Sequence, residues 1–174
     1  MIPYESVYFY LGALFRPKRI LEIGTNVGRS LIMTVLGANP TNVELVVSVD
    51  NESYLPNSQS IARQSLIDFG FKGELLFLVG DSKDPKIRSV LHQYTFDFIH
   101  IDGDHTTEGC LRDLELCWPL LTNDGYMVVH DYGDDMRVKD AVNSFIDEFD
   151  CAHITLSDKI LRHGGIILQR NGVT

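Results

Sequence analysis

Apolar runs of five to seven residues alternate along the chain with longer stretches in which apolar side chains recur every three or four positions. The first pattern predicts strands covered on both faces, the second helices presenting one stripe to a core. Arg19–Ile23 reads as a strand, followed by a glycine-containing loop and a helix over about Gly28–Leu36. Val43–Val49, β-branched and apolar on both faces, reads as a central parallel strand, and Asn57–Phe69 as a helix stopped by Gly70. Leu75–Val79 is the third strand, after which Asp84-Pro85 opens a short helix with a carboxylate N-cap and proline in the first turn. Phe96–Ile101 is the fourth strand. Thr106–Leu121 reads as a helix with Leu111, Leu114, Trp118 and Leu121 on one stripe, and Asn123-Asp124-Gly125 as a turn into the strand Tyr126–His130. Val138–Phe149 carries the cleanest stripe: Val138, Ala141, Val142, Phe145, Ile146 and Phe149. Ala152–Leu156 and Gly165–Gln169 are joined by a polar turn too short for a crossover helix, which predicts an antiparallel hairpin at one sheet edge. The whole is an α/β pattern: a three-layer sandwich on a seven-stranded, mostly parallel, doubly wound, Rossmann-like sheet. It reads as one domain over residues 1–174, with 1–17 as an N-terminal helix or lid segment.

Composition narrows the partners. At 174 residues, 44% of them hydrophobic and 22% charged, the chain is long enough for one core that needs neither disulfide nor metal to fold. The net charge of −9 argues against nucleic acid, whose affinity comes largely from Lys and Arg neutralising phosphates. Cys110, Cys117 and Cys151 form no CxxC pair and are odd in number, as expected for small core residues in a reducing compartment. MIPYESVYFYLGALF has no basic leader, and its apolar run is too short to span a bilayer. The expectation is a cytoplasmic protein with a small-molecule substrate and no membrane partner; a homo-oligomer is compatible with it.

In open parallel sheets ligands bind outside the carboxyl ends of the strands, and unusual residues gather at five of those ends. Glu22-Ile-Gly24-Thr25-Asn26-Val27-Gly28-Arg29-Ser30 follows the first strand, Asp50-Asn51 the second and Gly80-Asp81-Ser82 the third. Asp102-Gly103-Asp104-His105 follows the fourth and His130-Asp131-Tyr132 the fifth. The glycine loop lets the backbone turn and approach a ligand at Gly24 and pack closely at Gly28. Its GxxxG spacing matches neither the GxGxxG dinucleotide fingerprint nor a P-loop. Asp50 is placed to accept both ribose hydroxyls, or to cap the turn that follows it. Asp81 with Ser82 is placed to receive an adenine amino group, or to start a helix.

LEIGTNVGRS, VSVD, VGDS, FDFIHIDGDH and GYMVVHDY together resemble the class I S-adenosylmethionine-dependent methyltransferases. The resemblance is closest to the small-molecule O-methyltransferase group of macrolide-sugar methyltransferases and cephalosporin-biosynthesis proteins, and it runs from about Lys18 to Gln169. It implies the strand order 3-2-1-4-5-7-6 with strand seven antiparallel. It further implies Glu22 and the Gly24 loop at the methionine end of the cofactor, Asp50 on the ribose and Asp81 near adenine; Thr25, Asn26, Gly28, Ser30, Asn51, Ser82 and Asp102 complete the candidate cofactor-binding residues.

Asp102 and Asp131 end neighbouring strands and can converge on one cation, Mg²⁺ being the first choice for oxygen ligands. Relatives in this group hold Mg²⁺ through an aspartate matching Asp102 and an acidic pair matching positions 130 and 131, but here the first of the pair is His130. His130 suits Mn²⁺, Fe²⁺ or Zn²⁺ better, or Asp104 contributes in its place. His105, three residues beyond Asp102, resembles the group's catalytic histidine. It is the expected general base, with Asp102 the second catalytic residue. The expected function is metal-assisted methylation of a hydroxyl on a sugar, polyketide or similar molecule. The competing readings are a cofactor-binding module completed by a partner, and a metal-dependent hydrolase or oxidoreductase on the same sheet edge. Tyr4, Tyr8, Phe9, Tyr10 and Tyr132 are candidate pocket aromatics, or plain packing.

Overall fold

The computed structural model describes residues 5–170 and resolves the apolar runs into seven strands. They are β1 (Arg19–Ile23), β2 (Leu45–Asp50), β3 (Glu74–Val79), β4 (Phe96–Ile101), β5 (Leu121–His130), β6 (Cys151–Leu156) and β7 (Gly165–Arg170). Six helices accompany them: α1 (Glu5–Phe15), α2 (Arg29–Ala38), α3 (Ser58–Asp68), α4 (Pro85–Leu91), α5 (Thr107–Cys117) and α6 (Met136–Phe149). The sheet order is β3-β2-β1-β4-β5-β7-β6, with β7 antiparallel to both neighbours. This is the expected topology.

Two cores explain why the central strands are apolar on both faces. Leu21, Val47, Ile99 and Met127 point to one side, where α4, α5 and α6 bring Leu91, Leu114 and Phe145. Ile20, Val46, Phe98 and Val128 point to the other and meet Leu11, Leu31 and Leu66 of α1, α2 and α3. Asp84 caps α4 by accepting from the Lys86 N–H, with Pro85 in the first turn as expected. The three cysteines are buried free thiols, and burial pushes the Cys110 thiol up to about 12. Among the described residues, no helix is long and apolar enough to cross a membrane.

Two expectations are corrected. The helix expected over Thr106–Leu121 ends at Cys117 and tightens into a 3₁₀ turn, Trp118–Leu120. Pro119 has no N–H for the next helical hydrogen bond, and its ring crowds the preceding turn. Leu121 therefore already pairs with Phe96, and Asn123-Asp124-Gly125 is not a separate turn but lies inside β5, where the register with β4 shifts. Within residues 1–17 the helix α1 packs on α2: Gly12 and Gly37 let the two touch backbone to backbone, since a Cβ on Gly12 would stand 2.2 Å from the Thr34 carbonyl. Tyr8 is fully buried, while Phe9 and Tyr10 face outward. Tyr4 lies outside the described residues.

Candidate active site

Two adjoining cavities open above the carboxyl ends of the parallel strands. The first, of about 560 Å³, is walled by Gly24 and Asn26 after β1, Asp50 and Asn51 after β2, Asp81 and Ser82 after β3, and Asp102 after β4. The second, of about 790 Å³, is lined by Asp102, His105, His130 and Asp131 with Asp134 and His163. Asn26, Tyr54, Asp102 and His105 belong to both. Tyr54, 87% exposed in the loop after β2, carried no sequence signal: it belongs to no motif and no stripe.

The glycine loop works partly from below. Gly24 has φ +83°, and a Cβ there would lie 2.0 Å from the Asp102 carbonyl, so the loop after β1 rests directly on the end of β4. Glu22 is fully buried under this loop and accepts from the Ser30 hydroxyl at 2.5 Å and from His100 Nδ1 at 2.7 Å. The Tyr8 hydroxyl donates to His100 Nε2 at 2.8 Å, so a buried polar chain ties α1, β4, β1 and α2 together. Ser48 Oγ lies 2.7 Å from both Thr25 Oγ1 and Gln59 Oε1. The amide oxygen only accepts, so Ser48 donates to it and Thr25 donates to Ser48. Of the residues expected at the cofactor, Glu22, Thr25, Gly28 and Ser30 therefore lie off the cavity wall. Gly28 packs helix on helix, against Ala62 of α3, rather than strand on helix.

Asp50 serves both roles read from the sequence. Its Oδ2 accepts from the Asn26 N–H at 2.7 Å and its Oδ1 from the Glu52 N–H at 2.6 Å. A carboxylate offers about four lone-pair sites, so two remain for hydroxyls in the cavity. Asp81 is exposed and accepts from the Lys83 N–H at 2.8 Å. The Ser82 hydroxyl is engaged with Asp113 at 2.5 Å.

At the junction, two carboxylates and two imidazoles interleave. His105 Nε2 lies 3.3 Å from Asp102 Oδ1 and 3.3 Å from Asp131 Oδ2. His130 Nδ1 lies 3.4 Å and 3.2 Å from the same two oxygens. Asp131 takes a left-handed φ of 59°, which aspartate tolerates better than most residues. Burial alone would raise the Asp102 carboxyl, but the two imidazoles hold it well below the usual carboxylate range. Burial likewise opposes the charge on His130, yet Asp102 and Asp131 raise it to about 10. Hydrogen bonding to Asp102, with the charge of Asp131, raises His105 as well, so its position at a helix start does not lower it. Asp104 is taken by Lys83 at 2.8 Å and held down to about 2.

The donor chemistry fits a divalent cation: atoms of Asp102, His105 and Asp131 lie within 4.8 Å of one another. His105 thus joins the expected carboxylate pair, with His130 in contact with both. Mixed oxygen and imidazole donors suit Mn²⁺, Fe²⁺ or Zn²⁺ at least as well as Mg²⁺. His163, in a turn that gave no reason to single it out, lines the second cavity with Nδ1 2.9 Å from Asp134. Tyr132, read as a pocket aromatic or plain packing, donates to Asn143 at 2.9 Å.

The fold has many counterparts among solved structures. A Podospora anserina methyltransferase bound to S-adenosylhomocysteine superposes with a TM-score of 0.74 at 15% identity, over 95% of this chain and 76% of that one. The O-methyltransferase TomG from Streptomyces achromogenes, involved in tomaymycin synthesis and solved with S-adenosylmethionine, gives 0.72 at 20% identity, over 99% and 81%. CalS11, a TDP-rhamnose 3′-O-methyltransferase of calicheamicin biosynthesis, gives 0.69 at 16%, over 94% and 76%. No curated protein sequence matches the chain. Residues 21–132, which carry the glycine loop, the strand-end carboxylates and His105, match the family described as Methyltransferase domain, and the chain belongs to that family.

Proposed function

We propose that the protein is an S-adenosylmethionine-dependent O-methyltransferase acting on a hydroxyl of a small molecule, such as a sugar or polyketide, with a divalent cation assisting. One observation carries the reading: the nucleoside-sized cavity and the more open one share a wall at Asp102 and His105. A methyl donor seated in the first presents its sulfonium where the second would present an acceptor. That solved neighbours hold S-adenosylmethionine or its demethylated product, and that one is named for a sugar substrate, supports the same assignment.

In this reading the glycine loop holds the amino-acid end of the cofactor, Asp50 accepts from the ribose hydroxyls and Asp81 from the adenine amino group. The acceptor oxygen would form the new bond to the methyl carbon, the sulfur would keep the electrons of the broken carbon–sulfur bond, and the His105 imidazole would take the hydroxyl proton on the ring nitrogen that does not face Asp102 and Asp131. Asp102 and Asp131 orient that imidazole from either side. A divalent cation bound at Asp102, Asp131 and His130 would lower the hydroxyl's pKa.

Calorimetric titration with S-adenosylhomocysteine and with NAD tests the assignment. Saturable binding of the first is expected, weakened by Asp50→Ala by about 1.5–3 kcal/mol through lost charge-assisted hydrogen bonds. Binding of NAD alone would overturn it.

A further inference from the structure

β6 forms one edge of the sheet, so alternate residues turn their N–H and C=O groups away from β7, where no further strand lies. Its register with β7 runs without a bulge from the Cys151–Arg170 pair to the Leu156–Gly165 pair. Its sequence, CAHITL, contains no Lys, Arg, Asp or Glu, no proline and no glycine. Sheet proteins guard an open edge with charged residues, proline or a bulge, because an unguarded one is a template for pairing with another chain. β6 has none of these guards. Ala152, His153, Ile154 and Thr155 are exposed on both faces of the strand. Ile154 is 67% exposed, and Ile160 in the following turn 57%. The opposite edge strand, β3, differs: it opens with the charged Glu74, and its next four residues are half-buried.

The flanks of the strand fix its occupant. The chain enters β6 from an acidic stretch, Asp147, Glu148 and Asp150, and leaves it into a turn bearing Lys159 and Arg162, all of them exposed. Asp158 offsets one of the two cations. Two copies of β6 paired antiparallel about a two-fold axis set the acidic flank of each toward the basic flank of the other, whereas a parallel pairing sets like charges together. Opposed side chains in a sheet share a face, so the axis passes beside a single residue. Centred on Ile154, it sets Ile154 against its own copy and Ala152 against Leu156, while His153 meets Thr155. The apolar face then pairs with itself. We propose that β6 docks a second copy of this chain, joining two seven-stranded sheets into one continuous sheet about a two-fold axis at Ile154. The turn that carries Lys159 and Arg162 also supplies His163 to the second cavity, so the second copy braces that wall.

Sedimentation equilibrium on the full chain tests this, with thermal unfolding confirming that each variant is folded. The unmodified protein should form a reversible dimer that weakens as salt is added. Ile154→Lys sets two like charges against each other at the axis and should weaken the dimer by at least ~100-fold. Lys159→Glu with Arg162→Glu should weaken it by roughly 10-fold, by setting acid against acid. Adding Asp147→Lys and Glu148→Lys to that pair restores opposite charges and should bring the affinity back to within about 3-fold of the parent. Tyr10→Lys, on the exposed side of α1, should leave the dimer unchanged. A chain that stays monomeric throughout the micromolar range would overturn the proposal. So would a dimer that Ile154→Lys leaves intact, one that Tyr10→Lys dissociates, or a charge reversal that the second reversal does not restore.

Discussion

His105 Nε2 stands midway between two carboxylate oxygens, each 3.3 Å away, at the wall where both cavities meet. In the proposed mechanism loss of this imidazole removes proton transfer while leaving Asp50 and Asp81 in the wall of the first cavity. His105→Ala is expected to lower kcat by roughly 10²–10⁴ with S-adenosylhomocysteine affinity unchanged, as read from single-turnover rates and calorimetry on the same samples. Asp131→Asn should likewise depress turnover while keeping cofactor affinity within several-fold. Asp113 offers a stability test. Its folded-state value of about 6 lies above that of an unfolded aspartate, so the native state holds the extra proton between about pH 4 and pH 6 and loses stability as pH rises through that window. Asp113→Asn removes this loss, and urea unfolding should show the variant gaining on the parent by about 2–3 kcal/mol between pH 4 and pH 7. An unchanged difference would show that the carboxyl is not desolvated. Asp50, Asp81, Asp102 and Asp131 were legible in the sequence because each ends a strand whose apolar run is unmistakable. Asp113 was not: a stripe is read from apolar residues, and the signal was a carboxylate lying between Cys110 and Cys117 on the buried side of the helix.

At the scale of elements, the strands are read best where both faces are buried. β1, β2 and β4 were placed within two residues, because continuous β-branched and aromatic runs permit nothing else. The exit from α5 was misread because Trp118 and Leu121 extend the helical period, while Pro119 obeys a local backbone constraint that the period does not express. The role of α1 was hidden for a different reason: its glycine matters only against Thr34 of another helix, a pairing no local pattern encodes. The consequence is measurable. Gly12→Ala places a methyl group 2.2 Å from the Thr34 carbonyl, forcing α1 off α2 and straining the bond from Tyr8 to His100. We expect a loss of about 2–4 kcal/mol in chemical denaturation, whereas Leu14→Ala on the exposed side of the same helix should change stability by under about 0.5 kcal/mol.

At the scale of the molecule, the first cavity is assembled from the ends of β1, β2, β3 and β4, and each wall is tied to another. Asn26 donates to Asp50, Ser82 to Asp113, and Lys83 pairs with Asp104. The order of the strands was foreseen from family resemblance, and the hairpin edge from its short polar turn. Which loops bond to which was not, because those bonds join residues 21 to 31 positions apart in the chain. A ligand seated across four strand ends binds a surface that exists only when all four are in place, so its binding energy opposes global unfolding rather than the fraying of one loop. At a concentration 100 times its dissociation constant, S-adenosylhomocysteine should add about 2.7 kcal/mol to the folded state. For a protein of this size that corresponds to a rise in Tm of roughly 5–10 °C. The same measurement on Asp50→Ala, each protein compared with its own ligand-free Tm, should show a clearly smaller rise, because the carboxylate proposed to hold the ribose is gone. An equal rise in both proteins would place the ligand elsewhere on the molecule.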